Sequence, residues 1–172
     1  MTDASPLTPF QRMLVGTDGT VTHILEAYAG EPIEVVKLHQ GFDAANGADR
    51  MLDVEAGDDV LRRRVVLRTA STRRNLLYAE AVVAVSRVAA AFVDGLVGTD
   101  KPIGVLLGEQ RMETLREILQ VEREPAGPSA VHFQVEPTSE LVVRVYRIVA
   151  QGRPIVVITE KFPIHLFRQL SP

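Results

Sequence analysis

Leu141–Phe162 reads LVVRVYRIVAQGRPIVVITEKF, two runs rich in Val and Ile on either side of Gln151–Gly152. β-branched residues favour strands. A two-residue connection containing Gly, which reaches φ > 0 at no steric cost, closes a tight hairpin. The pattern therefore predicts antiparallel strands over Leu141–Ala150 and Pro154–Phe162.

Working outward, the same chemistry recurs. Ile33–Gln40, Val60–Thr69 and Leu76–Val85 are apolar runs bounded by turn residues, with Ala70–Asn75 (ASTRRN) closing a second hairpin. Leu115–Arg123 (LREILQVER) is a sixth strand candidate whose composition also suits a short helix. Helical spacing marks Pro6–Val15, through Leu7, Phe10, Met13 and Leu14, and Thr20–Tyr28, through Val21, Ile24 and Leu25. Ser86–Val97 is Ala-rich and predicts a helix ending near Gly98. Gly41–Gly57, Ala70–Asn75 and Glu124–Ser129 read as loops. Few connections between strands can hold a crossover helix, so the sheet is expected to be mostly antiparallel. The fold class is α+β, with about six strands and helices packed on them.

The chain has 172 residues, expected to form one domain over 1–172, with 46% hydrophobic and 24% charged residues. It has no cysteine, which excludes disulfides, thiolate metal sites and Cys nucleophiles. The net charge is −3 and the pI near 5.8, a poor match to nucleic acid or an anionic membrane, so neither is expected as a partner. The N-terminus lacks the charge and apolar pattern of a signal peptide, and a cytoplasmic location is expected. His23, His39, His132 and His165 lack metal-ligand spacing, and no phosphate-cradling glycine motif is present. No metal or cofactor is expected.

Successive strand residues point to opposite faces. On Val60–Thr69 one face carries Leu61, Arg63, Val65 and Leu67, so Arg63 is the one charge on an apolar face. Arg62, Arg64 and Arg68 line the other face, and the run Arg62–Arg64 with Arg73 and Arg74 is read as a solvated strand edge. On Pro154–Phe162, Glu160 shares a face with Val156, Ile158 and Phe162. Buried charges are costly unless paired or used. Two readings follow: a structural Arg63–Glu160 ion pair, or a closed pocket in which Arg63 clamps a small carboxylate and Glu160 is a polar or acid/base group. Arg147 shares a face with Leu141, Val143, Val145 and Val149. It is either a second anion contact or a structural partner of Glu80, which sits with Tyr78 and Val82.

Four segments carry a family resemblance: Tyr146–Pro163 (YRIVAQGRPIVVITEKFP, ending T-E-x-F-P), Val60–Leu67 (VLRRRVVL), Lys101–Gly104 (KPIG, after the mid-chain helix) and Gly19–Leu25 (GTVTHIL). In that content they resemble the chorismate pyruvate-lyase family, particularly its actinobacterial branch. The resemblance implies an antiparallel sheet with an internal cavity under flap-like loops. It implies cofactor-independent removal of pyruvate from chorismate to give 4-hydroxybenzoate. Arg63 would bind the ring carboxylate and Glu160 the 4-hydroxyl side. Ile103, through its backbone N–H, and Val21 would complete the product contacts. Glu80 stands where some members carry an arginine on a second anion path.

The same fold also resembles the effector-binding domain of GntR-type regulators, which suggests a non-catalytic small-anion sensor as the alternative. Fewer than 35 residues precede the first expected strand, too few for a DNA-reading domain. A third reading is a lyase scaffold repurposed in secondary metabolism. A monomer is expected, because no exposed apolar strand edge is evident.

Overall fold

The computed structural model describes residues 7–167. Pro6, where the first helix was expected to begin, and both ends of the expected 1–172 domain lie outside these residues. Helix α1 is Pro9–Gly16 and α2 is Val21–Ala29. Thr8 caps α1 in a capping box with Gln11, and Pro9 at the first helical position suits the fixed φ of proline. Six strands follow: β1 Ile33–Ala44, β2 Asp59–Thr69, β3 Asn75–Ala84, β4 Leu115–Pro125, β5 Glu140–Ala150 and β6 Arg153–Pro163. They form one antiparallel sheet in the order β1-β2-β3-β6-β5-β4. Gln151 (φ 50°) and Gly152 (φ 74°) turn β5 into β6, as the hairpin reading requires.

Helices α1, α2, α3 (Ala90–Gly98) and α4 (Ile103–Glu109) cover one face of the sheet, the helix face. Leu61, Val83, Phe92, Leu96, Tyr146 and Val156 build one core there. Leu14, Leu25, Leu77, Phe162 and Phe167 build another. The outer face is partly covered by the 3-10 turn Gly47–Leu52 and by α5, Ala130–Phe133. No helix among the described residues is long and apolar enough to cross a membrane.

Leu115–Arg123 is the sixth strand, as one of its two readings has it, and runs on to Pro125 as β4. Other expectations need correction. Ser86–Val97 is not one helix: a 3-10 turn at Val85–Arg87 lets Val85 and Val88 pack on the core before α3 begins. The Gly41–Gly57 loop is half structured, because β1 runs to Ala44 and Asn46 caps the 3-10 turn with Asp49. The KPIG segment leads into α4, with Pro102 as its N-cap residue.

The basic run on β2 is not at a sheet edge, although Arg64, Arg73 and Arg74 are exposed. β2 lies between β1 and β3. Arg62 donates to Asp43 and bidentately to Asp49, and Arg68 and Arg73 both pair with Glu34. The premise for a monomer also fails: edge strand β4 exposes Leu115, Ile118, Leu119 and Val121.

Candidate active site

A cavity of about 650 Å³, its mouth included, lies between the helix face and the N-terminal ends of α2 and α4. Its floor is the small and apolar surface of Val65, Ala79, Ala81 and Ile158. Gly19, Thr20 and Val21 close one side, and Pro102, Ile103 and Gly104 the other. Three charged side chains reach it: Arg63, Glu160 and Arg116.

Cross-strand register places them. Arg63 on β2 stands opposite Ala81 on β3, which stands opposite Ile158 on β6. Glu160 is two residues further along β6, opposite Ala79. With strands ~4.8 Å apart and ~3.4 Å per residue, the two Cα atoms are separated by about 12 Å. Their side chains occupy one face at different points of the same floor.

Arg63 is 3% exposed. Its Nη1 donates to the carbonyl of Lys101 at 3.1 Å, while Nε and Nη2 are buried without a partner. Burial pulls the guanidinium below its ordinary pKa, an effect opposed by the charge of Asp100. Buried donors left unmade cost about 1–3 kcal/mol each. Two such donors on one cation, beside a cavity, form a site prepared for an anion.

The Arg63–Glu160 ion pair, one of the two readings, does not form. Glu160 pairs instead with Arg144, which is 1% exposed. Arg144 donates to Glu160 Oε2 from Nε at 3.1 Å and from Nη2 at 2.6 Å. Its Nη1 donates to the carbonyls of Leu14 at 2.8 Å and Thr17 at 2.9 Å, at the C-terminal end of α1. Those carbonyls lack intrahelical partners, and a cation there complements the helix dipole. Tyr146 donates its hydroxyl to Glu160 Oε1 at 2.9 Å. Burial, and next the charge of Glu160, hold the Tyr146 phenol well above its ordinary pKa.

Arg147 and Glu80 do not reach the cavity. Arg147 lies on the outer face and pairs with Glu117 on β4, not with Glu80. Glu80 also faces outward and accepts from the Tyr78 hydroxyl at 2.5 Å, and burial with this contact raises the Tyr78 pKa to about 12. For Arg147 the cause is a bulge. Val149 pairs with Pro154, but Ile148 pairs with Val156, so Ile155 is an extra residue on β6. Without it, Arg147 would stand opposite Val156 and share the face of Glu160. With it, Arg144 takes that face. Proline has no N–H for the ladder, which suits Pro154 beside an irregularity.

Sequence reasoning thus missed Arg144, Tyr146 and Arg116. Alternation alone offers one arginine on each face of β5, and the bulge decides between them. Arg116 was hidden by the unresolved choice of strand or helix for β4. Val21 and Ile103 do line the cavity.

Comparison with known proteins agrees with this architecture. Residues 15–170 match the family model described as chorismate pyruvate-lyase Rv2949c-like. The chain is 28% identical over 162 residues to a Mycobacterium tuberculosis chorismate pyruvate-lyase, covering 91% of this chain and 81% of that protein. It is 29% identical over 160 residues to the Mycobacterium leprae chorismate pyruvate-lyase, covering 91% and 75%. Among solved structures, the effector domain of PhnF from Mycobacterium smegmatis superposes with a TM-score of 0.67 at 14% identity, covering 84% of this chain and 88% of that one. The C-terminal domain of the histidine utilization repressor from Pseudomonas syringae gives 0.64 at 16% identity, covering 81% and 97%. These structures share the fold. The match across residues 15–170 shows that the chain belongs to the Rv2949c-like chorismate pyruvate-lyase family.

Proposed function

We propose that this protein removes pyruvate from chorismate and releases 4-hydroxybenzoate. One observation carries the reading: Arg63 is a buried cation with two unpartnered donors on the wall of a mainly apolar cavity. Its planar fork matches a carboxylate.

Chorismate carries a carboxylate at C1, an enolpyruvyl ether at C3 and a hydroxyl at C4. Breaking the C3–O bond with loss of the C4 proton makes the ring aromatic. The enolpyruvyl methylene gains a proton and becomes the methyl of pyruvate. Aromatisation drives the step, so positioning is the main demand on the protein.

Arg63 holds the ring carboxylate. Glu160 holds the 4-hydroxyl. Arg144 and Tyr146 already occupy three of the roughly four lone-pair sites of a carboxylate. The remaining site accepts the substrate hydroxyl and turns the C4 hydrogen toward the enolpyruvyl methylene. Val21 and Ile103 shape the walls around the ring.

Incubation with chorismate, pyruvate measurement and chromatography of the aromatic product test this. Stoichiometric pyruvate and 4-hydroxybenzoate are expected, abolished in a folded Arg63→Ala variant. Binding without turnover would instead identify a sensor built on the same fold. A different ring product would identify a repurposed lyase.

A further inference from the structure

Arg116 is a second guanidinium on the cavity wall with unfilled donor capacity. Its Nη1 donates to the Asp18 carbonyl at 2.9 Å, and its Nε is buried without a partner. Among the described residues it forms no ion pair with a carboxylate. A Cβ built on Gly104 would lie 3.3 Å from Arg116 Nη2 and 3.2 Å from Thr20 Oγ1. The guanidinium is thus tucked where the α1–α2 connection meets the start of α4.

We infer that Arg116 binds the carboxylate of the enolpyruvyl side chain, and so separates the dianionic substrate from the monoanionic benzoate product. The inference rests on the chorismate reading and names the residue that would recognise the part of the substrate that leaves.

Charge supports it. Glu160 neutralises Arg144 within the site. Arg63 and Arg116 remain without carboxylate partners among the described residues, two cations for a ligand with two carboxylates.

Position supports it as well. Arg63 is on β2 and Arg116 on β4, toward opposite edges of the sheet, with Glu160 on β6 between them. Tyr146 and Ile158 share the row of Arg63, Glu160 is one pair further in one direction, and Arg116, opposite Ile148, is one pair further in the other. The three groups form a triangle over one floor. The substrate's C1 carboxylate, C4 hydroxyl and C3 side chain also form a triangle. With Arg63 on the first and Glu160 on the second, the third falls to Arg116. Once the C3–O bond breaks, its carboxylate leaves on pyruvate, and the benzoate keeps only the contacts to Arg63 and Glu160.

The test uses Arg116→Gln and Arg116→Lys beside the wild type, each checked for thermal unfolding. Three measurements are made: pyruvate release from chorismate, calorimetric binding of 4-hydroxybenzoate, and binding of 3-(1-carboxyvinyloxy)benzoate, an aromatic dicarboxylate that cannot react. In Arg116→Gln the KM for chorismate and the Kd for the dicarboxylate should rise about tenfold to a hundredfold, as for loss of a charge-assisted hydrogen bond. The Kd for 4-hydroxybenzoate should stay within about twofold, since Arg63 and Glu160 are untouched. Arg116→Lys should recover part of the loss, because it keeps the charge but not the fork. Equal weakening of both ligands, or of neither, would overturn the assignment. A wild type that releases no pyruvate yet loses dicarboxylate binding on Arg116→Gln would remove the lyase reading and leave this assignment standing. If Arg116→Gln does not fold, Arg116→Lys alone decides: dicarboxylate binding as tight as wild type would overturn the role of the fork.

Discussion

Arg144 donates from Nη2 to Oε2 of Glu160 at 2.6 Å, joining the middle of β5 to the middle of β6 beneath α1. The contact turns a buried carboxylate into a fixed acceptor and leaves Arg63 free of it. Removing one member strands the other in a dry setting, which costs about 3–5 kcal/mol. Arg144→Met should lower stability in urea unfolding by that amount. Arg144→Met with Glu160→Leu should recover most of it, because an apolar pair of similar volume is often neutral. Additive losses in the double variant would show that the pair is not the coupled unit described.

Arg63 makes the opposite prediction. It is buried with two unmade donors, so its burial opposes folding. Arg63→Met should raise the unfolding free energy by about 1–3 kcal/mol while abolishing benzoate binding. A variant less stable than wild type would mean that the contact to the Lys101 carbonyl outweighs the burial cost.

The acid limb of stability should depend on Asp49. The Arg62 hydrogen bonds hold its carboxyl below the ordinary aspartate value of 3.8. The folded pKa lies below the unfolded one, so this group stabilises the fold above 3.8 and the contribution fades as pH falls through its depressed pKa. Unfolding monitored against pH should show that fall in the wild type. Asp49→Asn should be less stable near neutrality and flatter at acid pH; an unchanged acid limb would refute the role of the pair.

Gly104 should report on the roof of the site. An added Cβ meets Thr20 Oγ1 at 3.2 Å and Arg116 Nη2 at 3.3 Å, both tighter than ordinary contact. Gly104→Ala should therefore shift Arg116 and raise the KM for chorismate severalfold. Alanine is also the better helix former, by about 0.8–1.0 kcal/mol, so the melting temperature should hold. Kinetics paired with thermal unfolding check this; unchanged KM would mean the guanidinium has room to give.

Local chemistry made much of the architecture legible. The strands flanking Gln151–Gly152, the apolar face around Arg63 and the helices carrying Leu14 and Leu25 all follow from alternation, turn residues and helical spacing, because each is set by neighbours in the chain. Arg63 and Glu160 stood out as charges on apolar faces, and the fold carries both to one cavity. Which arginine pairs with Glu160 was a tertiary matter. Alternation gives a face only relative to a register, and one extra residue at Ile155 exchanges the faces of Arg144 and Arg147. Arg116 is likewise a decision of the tertiary structure, since β4 is an exposed edge strand whose weak patterning leaves its faces unassigned until it pairs with β5. The sequence by itself thus determined five of the strands, the first two helices and two of the charges. Only their packing decided which charges are neutralised and which are left to face a ligand.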